Sequence, residues 1–260
     1  QGEAFNLNSI LQGKPNALEQ HIDTLESLLQ HHVFRIPPRQ WLDLTGICQL
    51  HTWSQTEDSI AAEALLTICN QAWASQGISR CAALPDIDDT AMQERLTQPD
   101  AQKFVEQPEW QQSCRETGAF TRQADQPLIR ALCQEFDATL LPRWTARLVE
   151  LARIPQQLRN MLGGLQPDTT TPQSNADEAG NGLKQVEAAR GRLTHHVQLS
   201  NGIITRYRIV SPTEWNFHPQ GVATQSLANL THSKQPDIEQ TAHLLINAID
   251  PCVSYQLRIH

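Results

Sequence analysis

The chain has 260 residues and a net charge of −8. Its basic residues are scattered with no Lys/Arg run, which disfavours a nucleic-acid or anionic-membrane surface, and no apolar stretch approaches the roughly 18 residues needed to span a bilayer. The opening QGEAFNLNSILQG has neither a basic n-region nor an apolar h-region, so it is not a secretory signal, and six cysteines (48, 69, 81, 114, 133 and 252) in so long a chain are expected as reduced thiols in a cytosol.

In chain order, NALEQHIDTLESLLQHH (16–32) repeats apolar residues at Leu18, Ile22, Leu25, Leu28 and Leu29, the spacing of an amphipathic helix. Pro37 and Pro38 break it. SQTE (54–57) has the Ser-x-x-Glu capping pattern ahead of an apolar-rich helix beginning at Asp58. LPDIDDTAMQERL (84–96) predicts a short helix, and 125–162 a long one that opens at Pro127 and is kinked or divided at Pro142.

Residues 164–182 are of low complexity and read as an exposed loop. The period then changes from 3.6 to 2. RLTHHVQLS and IITRYRIV flank Asn201-Gly202, a strong signal for a hairpin because a type I′ turn needs positive φ at both central positions. Helices at 222–230 and 237–249 complete an α+β, mainly α chain, a single domain with a helical part (1–163), a loop (164–182), and a small C-terminal β-hairpin unit with helices (183–260).

Four segments concentrate polar and thiol chemistry: LTGICQLH (44–51), GNGLKQVEAARGRLTHH (180–196), VSPTEWNFHP (210–219) and the terminal IDPC. Singly, each has a plain structural reading. Gly180 and Gly182 punctuate a loop, Trp215 fills a core, and His195 and His196 point to opposite faces of a strand. Cys69, Cys114 and Cys133 fall in helical patterns as small buried hydrophobes, whereas Cys81 falls in a loop.

Taken in order, these segments resemble the large subunit of nickel–iron hydrogenases over nearly the whole chain. That family carries Arg-x-Cys-Gly-x-Cys early, then Gly-x-Gly…Glu-Ala-Pro-Arg-Gly, Val-Pro-Thr-x-Trp-Asn, and a terminal Asp-Pro-Cys-x-x-Cys. EAARG keeps Glu187, Arg190 and Gly191 with Ala189 in place of proline, and SPTEWN keeps Pro212, Thr213, Trp215 and Asn216. The departures are specific. Asp43 and Thr45 replace the arginine and first cysteine of the early motif, leaving Cys48, and Tyr255 replaces the second terminal cysteine, leaving Cys252.

The family's bimetallic centre uses four thiolates, and two cannot hold it, so no nickel and no catalysis are expected. Two thiolates do suit a single soft, low-spin iron whose cyanide and carbon monoxide ligands fill the other positions. The resemblance therefore implies a non-catalytic HupK/HoxV-type scaffold of hydrogenase maturation that transiently carries an Fe(CN)2CO unit. Cys48 and Cys252 would bind iron, and Arg190, Pro212 and Thr213 would line the diatomic-ligand pocket. His51, one residue short of the family's histidine spacing, and Glu187 are weaker candidates.

The partners implied are a small HypC-type chaperone and a hydrogenase large-subunit precursor. Arg258 stands where true large subunits have the histidine preceding proteolytic cleavage, so no processing is expected. Cys48 and Cys252 are more than two hundred residues apart, and closing so long a loop costs on the order of 5 kcal/mol, so this site needs a folded chain. Other readings stay open: a degenerate subunit that only binds partners, a catalytic hydrogenase, or a zinc site from Cys48, His51, Cys252 and His260. Metal analysis separates them.

Overall fold

The computed structural model describes residues 15–164, 180–231 and 235–258. These fall into two compact units, one drawn from residues up to Leu66 and from Leu148 through 164, the other from Thr67–Arg147 and the described residues after 179. The chain is mainly helical with one small antiparallel sheet, and none of the described helices is long and apolar enough to cross a membrane. His260 and most of the low-complexity stretch lie outside the described residues.

In the first unit, α1 (Pro15–Leu28) continues as a π-helical segment, Leu29–Phe34, and stops at Arg35, which has φ +60°. Pro38 then opens the short α2 (Pro38–Trp41) at its first turn, where a missing N–H has no cost. Helix α3 (Ile47–Thr56) follows. Phe34, Trp41 and Trp53 are buried against one another, with ring centroids 4.9 and 5.6 Å apart. The Trp53 indole N–H is satisfied by the Phe34 carbonyl at 3.0 Å.

SQTE does not cap the next helix. Its first three residues close α3, and Ser54 is buried with its hydroxyl donating back to the His51 carbonyl. Ser59 caps α4 (Ile60–Asn70) instead, accepting the Ala62 N–H at 3.1 Å. A hydroxyl just ahead of the apolar run meets the orphan amides directly, and this local geometry outweighs the four-residue pattern.

In the second unit, a two-residue parallel pair, β1 (Ala82–Ala83) and β2 (Arg115–Glu116), brackets α5 (Asp89–Thr97) and α6 (Ala101–Glu106) in the chain. Asp88 caps α5 through the Thr90 and Ala91 amides at 2.6 and 3.1 Å. After α7 (Ala119–Arg122), the long helix expected over 125–162 is two: α8 (Pro127–Phe136) and α9 (Leu140–Gly163). The division falls at Asp137, with φ +57°, and not at Pro142. Pro142 sits in the first turn of α9, where backbone N–H groups have no helical partner, so it breaks nothing.

The expected hairpin is present as β4 (Gly191–Ser200) and β5 (Ile203–Val210), turning on Asn201 at φ +52° and Gly202 at φ +69°. The segment whose glycines read as loop punctuation is a strand, β3 (Gly180–Ala188), which pairs with Gly191–Leu199 of β4 and makes the sheet three-stranded. Thr194, His196 and Val210 face inward, while Val186, Ile203, Ile204, Tyr207 and Ile209 remain exposed. Inside, Ile87, Met92, Leu96, Phe104, Val210 and Trp215 form the core, so Trp215 is a packing residue as expected. Among the described residues, three helices follow the sheet: α10 (Pro212–Asn216), α11 (Val222–Ala228) and α12 (Gln235–Ile249).

Candidate functional site

Four of the residues singled out from the sequence lie in the second unit: Pro212, Thr213 and Cys252, with Arg190 linked to the Cys252 segment through Asp250. Ser211 caps α10 by accepting the Thr213 N–H at 3.2 Å, and the Glu214 carboxylate returns to the Ser211 N–H at 2.9 Å. This reciprocal box fixes Pro212, buried, at the first helical position, with Thr213 next to it in the first turn. The Thr213 hydroxyl accepts the backbone N–H of Cys252 at 3.3 Å. That leaves its own O–H uncommitted among the described residues.

Cys252 is aimed by the end of α12. Asp250 adopts φ +63° and its N–H closes the helix on the Ile246 carbonyl at 2.9 Å, a left-handed stop that Asp tolerates better than most residues. The Asp250 carboxylate binds Arg190 Nε at 3.2 Å through one oxygen and Arg147 Nη2 at 3.5 Å through the other. Arg147 is itself held by the Asn247 carbonyl and stacks over Trp144, whose indole N–H donates to the Leu244 carbonyl. Asp250 thus holds the Nε edge of the Arg190 guanidinium, which is 45% exposed. Nothing in a sequence pattern named Arg147; an arginine one hundred residues from Asn247 carries no local signal.

Arg190 lies at the β3–β4 turn, which is fixed from both sides. Gly191 has φ +131°, and a Cβ there would come within 2.6 Å of Thr117 Cγ2. The Arg192 N–H donates to Thr117 Oγ1 at 2.9 Å, and Arg122 Nη2 donates to the Ala189 carbonyl at 2.7 Å. Asn216 locks the same region by exchanging two hydrogen bonds with the Thr117 backbone, at 2.9 and 2.7 Å.

Glu187 is ion-paired to Arg122 at 3.2 Å and to Arg192, a bracing position at the strand end. Cys48 and His51 lie on α3 of the first unit, Cys48 in its first turn, and both are exposed. Each unit places its own candidates: Cys252, Thr213, Pro212 and Arg190 in one, Cys48 and His51 in the other.

The other cysteines differ from Cys48 and Cys252 in being partly buried. Burial holds the Cys69, Cys114 and Cys133 thiols up, and pushes Cys81 up to about 12, with Glu116 adding to the effect. Cys69 and Cys133 are in helices as expected, and Cys81 in a loop; Cys114 is not helical but lies immediately before β2. It faces His218 and Glu109, and the three offer ligand atoms within 4.8 Å of one another. The sequence reading missed this group because its members lie up to 109 positions apart in number and belong to no known spacing.

Comparison with known proteins places the chain in a family, with Cys48 and His51 outside the matched segment. The sequence profile of the nickel-dependent hydrogenase family matches residues 89–256. A hydrogenase expression/formation protein, HoxV of Cupriavidus necator, is 33% identical over 87% of this chain and 60% of its own length. HupK of Bradyrhizobium diazoefficiens, also a hydrogenase expression/formation protein, is 33% identical over 55% of this chain and 38% of its own. The chain therefore spans 60% or less of the length of these relatives. Among solved structures, the reduced nickel–iron–selenium hydrogenase of D. vulgaris Hildenborough aligns at TM-score 0.46 and 22% identity, covering 56% of this chain and 36% of that one.

Proposed function

The chain belongs to the nickel-dependent hydrogenase family, and from that premise we propose that it is a non-catalytic factor of hydrogenase maturation which carries an Fe(CN)2CO unit as cargo. The relatives named as expression and formation proteins support the maturation role. The carrier reading rests chiefly on one observation: the tail that ends α12 is tied to both Arg190, through Asp250, and Thr213, through the Cys252 amide.

In this reading Cys252 supplies a thiolate to iron, and Cys48 supplies the second, as the family resemblance implies. Arg190, held at Nε, donates from its terminal nitrogens to a cyanide nitrogen. Thr213 donates its free hydroxyl to another diatomic ligand, while its oxygen keeps the cysteine backbone in place. Charged donors beside a negatively charged iron unit orient it and offset its charge. Two thiolates hold the iron less firmly than the four of a hydrogenase large subunit, so a precursor with four removes it. The exposed apolar residues of β3 and β5, Val186, Ile203, Ile204, Tyr207 and Ile209, offer a surface for a HypC-type chaperone or the large-subunit precursor.

The test is infrared spectroscopy with iron quantitation on protein purified from a cell competent for hydrogenase maturation. Carbon monoxide and cyanide stretching bands are expected, lost in Cys252→Ser and in Cys48→Ser and shifted in Arg190→Gln. Iron-free protein, or bands indifferent to Cys252, would leave a partner-binding subunit without metal as the correct reading.

A further inference from the structure

A second cluster of ligating side chains lies apart from the Cys252 site. Cys114 Sγ stands 3.0 Å from His218 Nδ1, joining segments 104 residues apart, and His218 Nε2 stands 3.8 Å from Glu109 Oε1. His218 is 5% exposed at its side chain, whereas Glu109 is 46% exposed and free to rotate. Both segments are pinned. The Gly221 N–H and the Thr224 hydroxyl donate to the His218 carbonyl at 2.8 and 3.3 Å, and a Cβ at Gly221 would press on His218 Cβ at 3.0 Å. On the other side, Arg115 donates from Nε and Nη2 to the Trp110 carbonyl at 3.2 and 3.1 Å, fixing the turn in which Trp110 and Ser113 pair.

We propose that Cys114, His218 and Glu109 form a binding site for a divalent ion of the zinc class, with a fourth position open to the adjoining cavity. A thiolate, an imidazole and a carboxylate are the ligand types such an ion takes, and bond lengths of about 2.0–2.3 Å at tetrahedral angles put neighbouring ligand atoms about 3.3–3.7 Å apart. One imidazole nitrogen serves one ion: Cys114 at 3.0 Å selects His218 Nδ1, and since the three ligand atoms lie within 4.8 Å of one another, a shift of Glu109 closes the set.

Without the ion, the Cys114 S–H donates to Nδ1, and the Gln220 N–H shares the same lone pair at 3.1 Å. The ion takes the place of the thiol proton: an S–H bond breaks, a metal–sulfur bond forms, and one proton leaves to solvent. Gln220, next to a proline in an exposed turn, yields its amide contact, and Glu109 swings in as the third ligand. Three protein ligands leave one tetrahedral position for water or an incoming ligand. Glu109 and His218 line a cavity of about 550 Å³ whose wall includes Arg95, Asp100 and Lys103 beside Phe104 and Trp110, so that position opens onto a chamber of mixed polar and apolar lining.

The site shares no ligand with the proposed iron carrier, and the test keeps the two apart. Full-length protein is stripped with a chelator and titrated with cobalt(II), a spectroscopic stand-in for zinc, and zinc affinity is measured by competition with a chromophoric chelator. One cobalt per chain with a thiolate-to-cobalt charge-transfer band is expected, unchanged in the Cys48→Ser/Cys252→Ser double variant. Cys114→Ser should abolish the band, and His218→Gln should weaken zinc binding by about 100-fold or more. If either variant fails to fold by circular dichroism, Glu109→Gln decides, since its side chain is half exposed, and about 10-fold weaker binding is expected. A band that persists in Cys114→Ser or vanishes in the double variant overturns the site, as does zinc affinity indifferent to Glu109.

Discussion

The Thr213 hydroxyl holds the backbone N–H of Cys252 at 3.3 Å, so a residue in the first turn of α10 positions a cysteine 39 residues later. The bond uses the oxygen of Thr213 and spares its proton, which lets one side chain both fix the tail and face a ligand.

Thr213→Val keeps the shape of the side chain and removes the acceptor. A typical hydrogen bond contributes about 0.5–1.5 kcal/mol, and a loss at the lower end is expected because the Cys252 region is exposed. Hydrogen exchange at the Cys252 amide should accelerate, while Thr213→Ser restores protection. An unchanged exchange rate in Thr213→Val would show that the contact is not populated.

Asp250 has two separable duties, a left-handed backbone and a shared carboxylate. Asp250→Asn retains tolerance of positive φ and loses the pairs to Arg190 and Arg147; partly exposed pairs of this kind are worth about 0–1 kcal/mol. Asp250→Ala adds backbone strain of about 1–2 kcal/mol. Urea denaturation should therefore rank wild type above Asn and Asn above Ala, and equal midpoints for Asn and Ala would remove the conformational part of the argument.

Gly191 should not tolerate a side chain. Gly191→Ala combines φ +131° with a Cβ 2.6 Å from Thr117 Cγ2 and 2.8 Å from its hydroxyl, which strain and overpacking put at about 2–4 kcal/mol. Thr117→Ala in the same chain should recover part of the loss, because it removes the clash and leaves the φ penalty. Chemical denaturation of the four variants of that cycle measures the coupling directly.

Arg143 and Glu116 form a buried ion pair, with Arg143 also stacked over Phe120 at 4.5 Å. Arg143→Leu strands a carboxylate in the interior, at an expected cost of about 3–5 kcal/mol. The double change Arg143→Leu/Glu116→Leu should be less damaging than Arg143→Leu alone, read from thermal unfolding. A strictly additive double variant would mean that the pair is not coupled.

His196 sets the acid limb of stability. It is buried on the inner face of β4, with Nε2 donating to Asn181 Oδ1 at 2.5 Å. Burial, then Arg208 and Arg206, hold its pKa below the ordinary histidine range. The folded chain keeps this imidazole neutral while the unfolded chain protonates it, so stability should fall as pH drops below about 6.5 and be unaffected by this group above it. His196→Gln should flatten that part of the denaturation-midpoint profile; an identical slope in the variant would assign the acid limb to other groups.

Some features were legible in the residues because short-range rules decide them. Asn201-Gly202 made a turn, since few other pairs accept positive φ twice in succession. Pro127 opened a helix, and the period-2 stretches flanking Asn201-Gly202 became the two hairpin strands. EAARG, SPTEWN and IDPC, read in order, pointed to the family that the comparisons then reached. Pro142 misled because it falls in the first turn of α9, where its missing N–H costs no helical hydrogen bond. Gly180–Ala188 misled because a strand rich in glycine and polar residues is made by its partner, and β4 supplies the ladder that its own sequence does not advertise.

What the linear sequence determined by itself is the inventory: four cysteines of the hydrogenase pattern reduced to two, an arginine and a threonine retained in their motifs, and a mainly helical chain with one hairpin. What only the tertiary structure decided is who meets whom. Asp250 between two arginines, Thr213 beneath Cys252, and Cys114 against His218 are contacts across 39 to 104 residues. No local propensity encodes such pairs, because their geometry is fixed by the packing of whole helices and strands against a shared core.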